Sequence, residues 1–233
     1  IESEGRDRKN TDLPLDQKNL LKKIYDVNEN IVLILINGST ISLPWANRHI
    51  PAIIEAWYPG QSGGKAIAEV LFGDYNPGGK LPMTFYKGIN DLPPFDDYDV
   101  RNGRTYMYFK GEPLYPFGYG LSYTNFELKN VRLNKTNFSK SDTLQITFNI
   151  TNTGLRHGSE VPQLYIKENG IKKLKAFKRI FLNKDESLES SMKVAIKEFQ
   201  SWDTNENKYV VKPRFSVYEQ HKSKLIFIEI KSQ

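Results

Sequence analysis

The run Ile31-Val32-Leu33-Ile34-Leu35-Ile36 decides the first half of the fold. Six consecutive apolar residues, most of them β-branched, predict a strand buried on both faces, as in a parallel sheet covered by helices. Asn37-Gly38-Ser39 then turns the chain. Upstream, residues 12–28 (DLPLDQKNLLKKIYDVN) place Leu20, Leu21, Ile24 and Tyr25 at helical spacing, with Asp16 as the expected N-cap. Downstream, Pro51 suits the first turn of a helix over residues 51–57, which Tyr58-Pro59-Gly60 ends. A second helix is expected over residues 63–73, with Ala66, Ile67, Val70 and Leu71 on one stripe and Gly73 as its stop. Residues 74–80 (DYNPGGK) form a turn cluster and residues 81–86 (LPMTFY) read as a strand. Strand–helix–helix–strand is an α/β pattern. A sheet this small reads as incomplete, with its remaining strands expected before residue 1.

Residues 87–125 form a long connection rich in Gly, Pro, Asp and Tyr, a length that points to function or an interdomain wrap. From Phe126 the texture changes. Seven runs with partial two-residue alternation follow: FELKNVRL, TLQITFNITN, EVPQLYIKE, KLKAFKRIFL, SLESSMKVAI, YVVKPRFSVYE and KLIFIEIK. Seven short strands between turn signals predict an immunoglobulin-like or fibronectin-like sandwich over residues 126–233. The predicted fold class is therefore α/β plus all-β: a truncated α/β sandwich domain (residues 1–86), the connection, and a β-sandwich.

Composition narrows the chemistry. The 233 residues contain no cysteine, which excludes disulfides, thiolate metal sites and a cysteine nucleophile. Three widely spaced histidines, His49, His157 and His221, give a histidine metal site or a Ser-His-Asp triad little to draw on. No apolar run approaches the ~20 residues of a membrane-spanning helix. The chain opens without an initiator Met or a signal-peptide pattern, which reads as a processed form or a fragment. Residues 1–125 hold 13 Lys+Arg against 15 Asp+Glu, and residues 126–233 hold 20 against 12. That asymmetry supports two domains. The basic half reads as a lysine-rich sheet surface rather than a nucleic-acid interface, since no nucleic-acid motif accompanies it.

Individual motifs divide between chemistry and scaffolding. Residues 60–66 (GQSGGKA) fail as a phosphate loop: only three residues separate Gly60 from Gly64, and Ala66 stands where a hydroxyl is needed. Asp96, Asp97 and Asp99 lack the Gly and distal Glu of a calcium loop and read as a solvated acidic turn. Tyr106, Tyr108, Phe109, Tyr115, Phe117, Tyr119 and Tyr123 could stack on sugar rings, but packing between layers is the simpler reading. The opening stretch Glu2-Ser3-Glu4-Gly5-Arg6-Asp7-Arg8 carries carboxylates that could move protons. Arg6 and Arg8 would lower a neighbouring carboxyl pKa, whereas a general acid needs it raised. Local sequence alone does not argue for catalysis.

Four stretches together resemble the C-terminal half of glycoside hydrolase family 3, which includes β-glucosidases and β-xylosidases. They are residues 1–17 (IESEGRDRKNTDLPLDQ), 31–45 (IVLILINGSTISLPW), 50–85 (IPAIIEAWYPGQSGGKAIAEVLFGDYNPGGKLPMTF) and 112–128 (EPLYPFGYGLSYTNFEL). The resemblance implies an N-terminal (β/α)8 barrel, an α/β sandwich and a fibronectin type III-like domain. It further implies one retaining active site shared by barrel and α/β sandwich, with no metal or organic cofactor. The barrel would supply an aspartate nucleophile. The glutamate before the glycine of the opening loop would be the acid/base, here Glu4, with Glu2 the second choice; Arg6 replaces the family's usual aromatic. Substrates would be β-linked oligosaccharides or aryl glycosides with terminal xylosyl or glucosyl residues, and the location periplasmic or extracellular. The chain alone is expected to be inactive. A non-catalytic carbohydrate-binding or structural β-sandwich module is the alternative.

Overall fold

In the computed structural model the deciding run forms strand β1 (Val32–Leu35), which follows helix α1 (Leu15–Val27). The structure describes Gly5 and residues 8–135, 137–139, 141–168, 170–203, 208–211, 214–221 and 224–232. It divides into two units, Ile1–Tyr75 with Leu81–Tyr119, and Asn76–Lys80 with Gly120–Gln233.

In the first unit, α1 starts after Pro14, so Asp16 lies in the first helical turn rather than at the N-cap. There its carboxylate faces the positive end of the helix dipole. Helix α2 (Pro44–His49), which the sequence reading missed, uses Pro44 in its first turn. Residues 51–57 are not a helix. Ala52–Glu55 form strand β2, parallel to β1, with Ile53 beside Leu33 and Ile54 beside Ile34. The adjacent β-branched pair Ile53-Ile54 favours the pleated surface, and the parallel partner outweighs the helical signal of Pro51. Strand β1 is also less enclosed than expected: Val32 is 44% exposed and Leu35 is its buried residue. Helix α3 (Gly63–Phe72) ends at Gly73, whose φ of +82° suits a glycine stop. A compact apolar cluster of Leu21, Leu35, Ile41, Leu43, Ala46 and Ile50 joins α1, β1 and α2, with Ile53 of β2 packed against it.

Residues 81–86 do not form the expected strand. They lie against residues 114–119 at two points: Leu81 N–H donates to Tyr119 O and Leu81 O accepts Gly118 N–H, and Phe85 and Tyr115 form an isolated antiparallel bridge. Pro82 and Pro116 remove donors that a continuous ladder would need. The long segment after residue 86 contains a one-turn helix α4 (Thr105–Tyr108) and two 3-10 turns. Its aromatics pack on one another: Tyr106 stacks on Phe117 at 4.3 Å and Tyr115 on Tyr119 at 5.4 Å.

The second unit is a sandwich. Its strands are β3 (Phe126–Leu133), β4 (Asn137–Phe138), β5 (Thr143–Asn152), β6 (Gly158–Glu160), β7 (Gln163–Glu168), β8 (Ile171–Phe177), β9 (Ile180–Leu182), β10 (Ser187–Ala195), β11 (Gln200–Asp203), β12 (Lys208–Val211), β13 (Arg214–His221) and β14 (Lys224–Ser232). One sheet has the order β10-β5-β3 and the other β4-β14-β13-β7-β8; β6-β9 and β11-β12 form small antiparallel pairs. Three of the seven expected runs are each divided between two strands, after Glu160, after Phe177 and after Val211. Alternation is clearest in β5, where Leu144, Ile146, Phe148 and Ile150 point inward. They meet Leu164 and Ile166 of β7 and Met192 and Val194 of β10 in one core. Asn152 ends the stripe, fully buried; its side chain donates to Arg156 O and Leu182 O and accepts from Thr124 Oγ1 and Gly154 N–H. Edge strand β8 carries Lys172, Lys173 and Lys175, a composition that discourages pairing with another chain.

The turn cluster at residues 76–80 is stitched into this unit. Asn76 Nδ2 donates to His157 O, and its Oδ1 accepts from Ser122 Oγ and Tyr123 N–H. Lys80 Nζ lies 2.9 Å from Glu160 Oε1 and also donates to Gly120 O. A Cβ on Gly120 would come within 2.0 Å of Gly79 O, so only glycine permits this approach.

Candidate active site

In open parallel sheets, ligands bind beyond the carboxyl ends of the strands. Here those ends are Asn37-Gly38-Ser39 after β1 and Glu55-Ala56-Trp57 at the close of β2, and a polar network joins them. Asn37 is 5% exposed; its Nδ2 donates to Ser39 O at 2.8 Å and to Glu55 Oε2 at 3.3 Å. Those two acceptors fix the orientation of the amide, leaving the buried Oδ1 without a hydrogen-bond partner. The other carboxylate oxygen, Glu55 Oε1, accepts the Trp57 backbone N–H at 3.1 Å. Trp57 has φ +52°, a left-handed conformation that is uncommon and strained for a bulky residue. Its ring meets Phe85 edge-on at 6.1 Å.

The opening segment joins the same edge. Arg8 Nη2 donates to Ser39 Oγ at 2.6 Å and to Thr40 O at 2.9 Å. Three residues on, Ser42 N–H donates to Thr11 O at 2.7 Å, and Asp12 and Ser42 form a parallel bridge. Thr11 Oγ1 and Ser42 Oγ are 2.6 Å apart, and Ser42 Oγ donates to Tyr86 O. Because Ser42 has one hydroxyl hydrogen and gives it to Tyr86, Thr11 is the donor to Ser42. Burial, ahead of the opposing Thr105 hydrogen bond, holds the Tyr86 phenol above its ordinary pKa. The phenol oxygen accepts the backbone N–H of Thr105, a second residue at positive φ, +62°.

Glu4 and Glu2, the expected acid/base and its second choice, lie outside the described residues, as does Arg6. Gly5 is described, with φ +71°, where glycine is favoured. The acidic turn is self-contained. Asp97 accepts from Asp99 N–H and Asn102 Nδ2, while Asp99 pairs with Arg101. The Arg101 side-chain hydrogen bond holds the Asp99 carboxyl at about 2. Sequence reasoning missed Asn37 and Glu55. The available signals were a polar residue ending one apolar run and a carboxylate ending the next, but their meeting depends on the parallel register.

Comparison with known proteins gives this geometry its context. Residues 1–123 match the family model described as the glycosyl hydrolase family 3 C-terminal domain, and residues 160–218 match a fibronectin type III-like domain. The chain belongs to glycosyl hydrolase family 3. Xylan 1,4-β-xylosidase of Xylanibacter ruminicola is 40% identical over 214 residues, covering 90% of this chain and 24% of the relative. Periplasmic β-glucosidase of Salmonella typhimurium is 34% identical, covering 92% of this chain and 30% of the relative. The β-D-glucoside glucohydrolase of Trichoderma reesei superposes with a TM-score of 0.89 at 26% identity, covering all of this chain and 38% of that one. The family 3 chain therefore spans about a quarter to a third of the curated relatives it matches. Fold class and family agree with the resemblance read from the sequence. Among the described residues, no helix is long and apolar enough to cross a membrane.

Proposed function

We propose that this chain is the C-terminal portion of a retaining, exo-acting β-glycosidase that removes terminal β-D-xylosyl or β-D-glucosyl residues. Glu4 is its acid/base, and an N-terminal (β/α)8 barrel of the same enzyme supplies the aspartate nucleophile. The enzyme works in the periplasm or outside the cell, on β-linked oligosaccharides or aryl glycosides. The observation that carries the reading is the attachment of Arg8 to the turn after β1. It ties the chain four residues beyond Glu4 to the carboxyl edge of a parallel sheet, and the family relatives support the reaction class.

The chemistry follows from two carboxyl groups ~5–5.5 Å apart across the glycosidic bond. The aspartate attacks the anomeric carbon as Glu4 protonates the departing oxygen. The glycosyl–enzyme ester forms and the glycosidic C–O bond breaks. Glu4, now ionised, takes a proton from water, which attacks the anomeric carbon and releases the aspartate. Closing the barrel over the loop would desolvate Glu4 and raise its pKa, as the acid role needs.

The test is azide rescue in the full-length enzyme. Glu4→Ala should lower turnover of a 2,4-dinitrophenyl β-glycoside by ~10²–10⁴-fold, the scale of general acid–base catalysis. Azide needs no base, so it should restore turnover and yield a glycosyl azide of retained configuration. Rescue of Glu2→Ala in place of Glu4→Ala would transfer the role to Glu2. Rescue of neither would overturn the assignment to this loop.

A further inference from the structure

Arg8 connects to more than one turn. Its Nη2 gives its two hydrogens to Ser39 Oγ and Thr40 O, on consecutive residues of the turn after β1. The same turn is braced from the other side, because Asn37 Nδ2 donates to Ser39 O and Glu55 Oε2, and Glu55 Oε1 accepts the Trp57 N–H. Ala56 N–H to Leu35 O continues the pairing of the two strands beyond β2. The opening segment is thereby referenced to the carboxyl ends of both parallel strands through Arg8, Ser39, Asn37 and Glu55. Thr11 and Ser42 repeat the attachment three residues later through main chain and hydroxyls.

We infer that Arg8 is a positioning residue for the acid/base Glu4: its guanidinium anchors the chain four residues beyond Glu4 to the turn after β1. The inference rests on Glu4 being the acid/base. Arg8 is the fourth residue after Glu4, so chain reach limits their Cα separation to ~14 Å. Arginine suits the task because one planar nitrogen can hold two acceptors in a fixed geometry, whereas an ammonium on a flexible stem cannot reproduce that fork. The local sequence cast Arg8 as a cation opposing a general acid. The geometry adds to that charge a scaffold contact, the hydrogens of its Nη2 going to a hydroxyl and a carbonyl of the turn after β1.

A positioning role and a general structural role differ in which substrates they affect. Loss of aim at the leaving oxygen slows cleavage only where that oxygen needs a proton. The experiment measures kcat/KM of the full-length enzyme on a phenyl β-glycoside and on its 2,4-dinitrophenyl counterpart, whose leaving group departs without protonation. Arg8→Ala should lower the phenyl value by ~10²-fold, the scale of a misplaced catalytic group, and leave the dinitrophenyl value unchanged. Arg8→Lys should recover part of that loss. Ser39→Ala, which removes one acceptor and leaves the cation, should move the ratio the same way by less, and it serves if Arg8→Ala does not fold. Equal losses on both substrates, or no change in the ratio for any variant, would overturn the inference. Glu4→Gln separates the two readings. If it shifts the ratio while the Arg8 and Ser39 variants do not, the inference fails and the acid/base assignment stands. If it does not shift the ratio, the assignment itself fails.

Discussion

The two units solve the folding problem in opposite ways. The sandwich buries fourteen apolar residues in one described cluster, with the buried polar Asn152 matched to partners on both its amide atoms. The corresponding cluster of the α/β unit has six, and that unit holds its strand ends with hydrogen bonds. It also carries the strained Trp57 and Thr105 and an orphaned Asn37 Oδ1. Strain and unsatisfied polar groups persist where the surroundings over-determine them, and such places are commonly functional. The sandwich also has two non-glycine residues at positive φ, Asn130 and Asp185, but these are residue types that tolerate it; the difference teaches that apolar packing organises the sandwich and hydrogen bonds organise the strand ends of the α/β unit.

Urea unfolding followed by tryptophan fluorescence can break this comparison, since Trp45 and Trp57 lie in the first unit and Trp202 in the second. Two transitions are expected, the α/β unit first. The largest effect should come from Phe148→Ala, which removes a ring that is 1% exposed and costs about 4 kcal/mol. It should move the second transition alone; a shift of both together would mean that the chain unfolds as one unit.

Lys80→Met should follow at about 2–3 kcal/mol, because it removes the Lys80 ammonium from a Glu160 carboxylate that is 6% exposed, while the Val161 N–H bond to that carboxylate remains. The double variant Lys80→Met/Glu160→Met should recover most of that loss. Failure to recover would mean that the pair does more than neutralise a buried charge.

Asn37→Ala should lower the first transition by about 1–2 kcal/mol, through lost bonds to Ser39 and Glu55, and leave the second in place. The smallest effect concerns acid. The folded pKa of Asp99 lies below its ordinary 3.8, at about 2. Its pairing with Arg101 therefore stabilises the turn above pH ~4 and is lost as pH falls through about 2. Because the pair is exposed, Asp99→Asn should leave both transitions unmoved at pH 7 and alter hydrogen exchange only within residues 97–104. A shift of the α/β transition at pH 7 would show that this turn is coupled to the sheet.

How much of this was legible follows the same division. Alternation in β5 is written along the chain, because each inward residue of a strand sits two from the next. Gly73 announced the end of α3 for an equally local reason. Residues 51–57 were misread because Pro51 gives a local helical signal, while the partner that makes Ile53 and Ile54 a strand lies some twenty residues away. Asn37 and Glu55 escaped notice for the same reason: neither carries a signal until the parallel register places them side by side. Glu4 entered through family resemblance alone. The neighbouring arginines argue against it in the local sequence, and the bonds of Arg8 to Ser39 and Thr40, which only the fold brings within reach, were not legible there.

The measurement that tests the central claim most directly is hydrolysis of aryl β-xyloside and aryl β-glucoside by this chain. It is assayed alone and after mixing with a separately produced N-terminal barrel from the same enzyme. A shared site predicts no turnover alone and measurable turnover with the barrel, abolished by Glu4→Gln. Turnover by the chain alone, at a rate typical of an intact glycosidase, would place a complete carboxylate pair within these 233 residues and contradict the account.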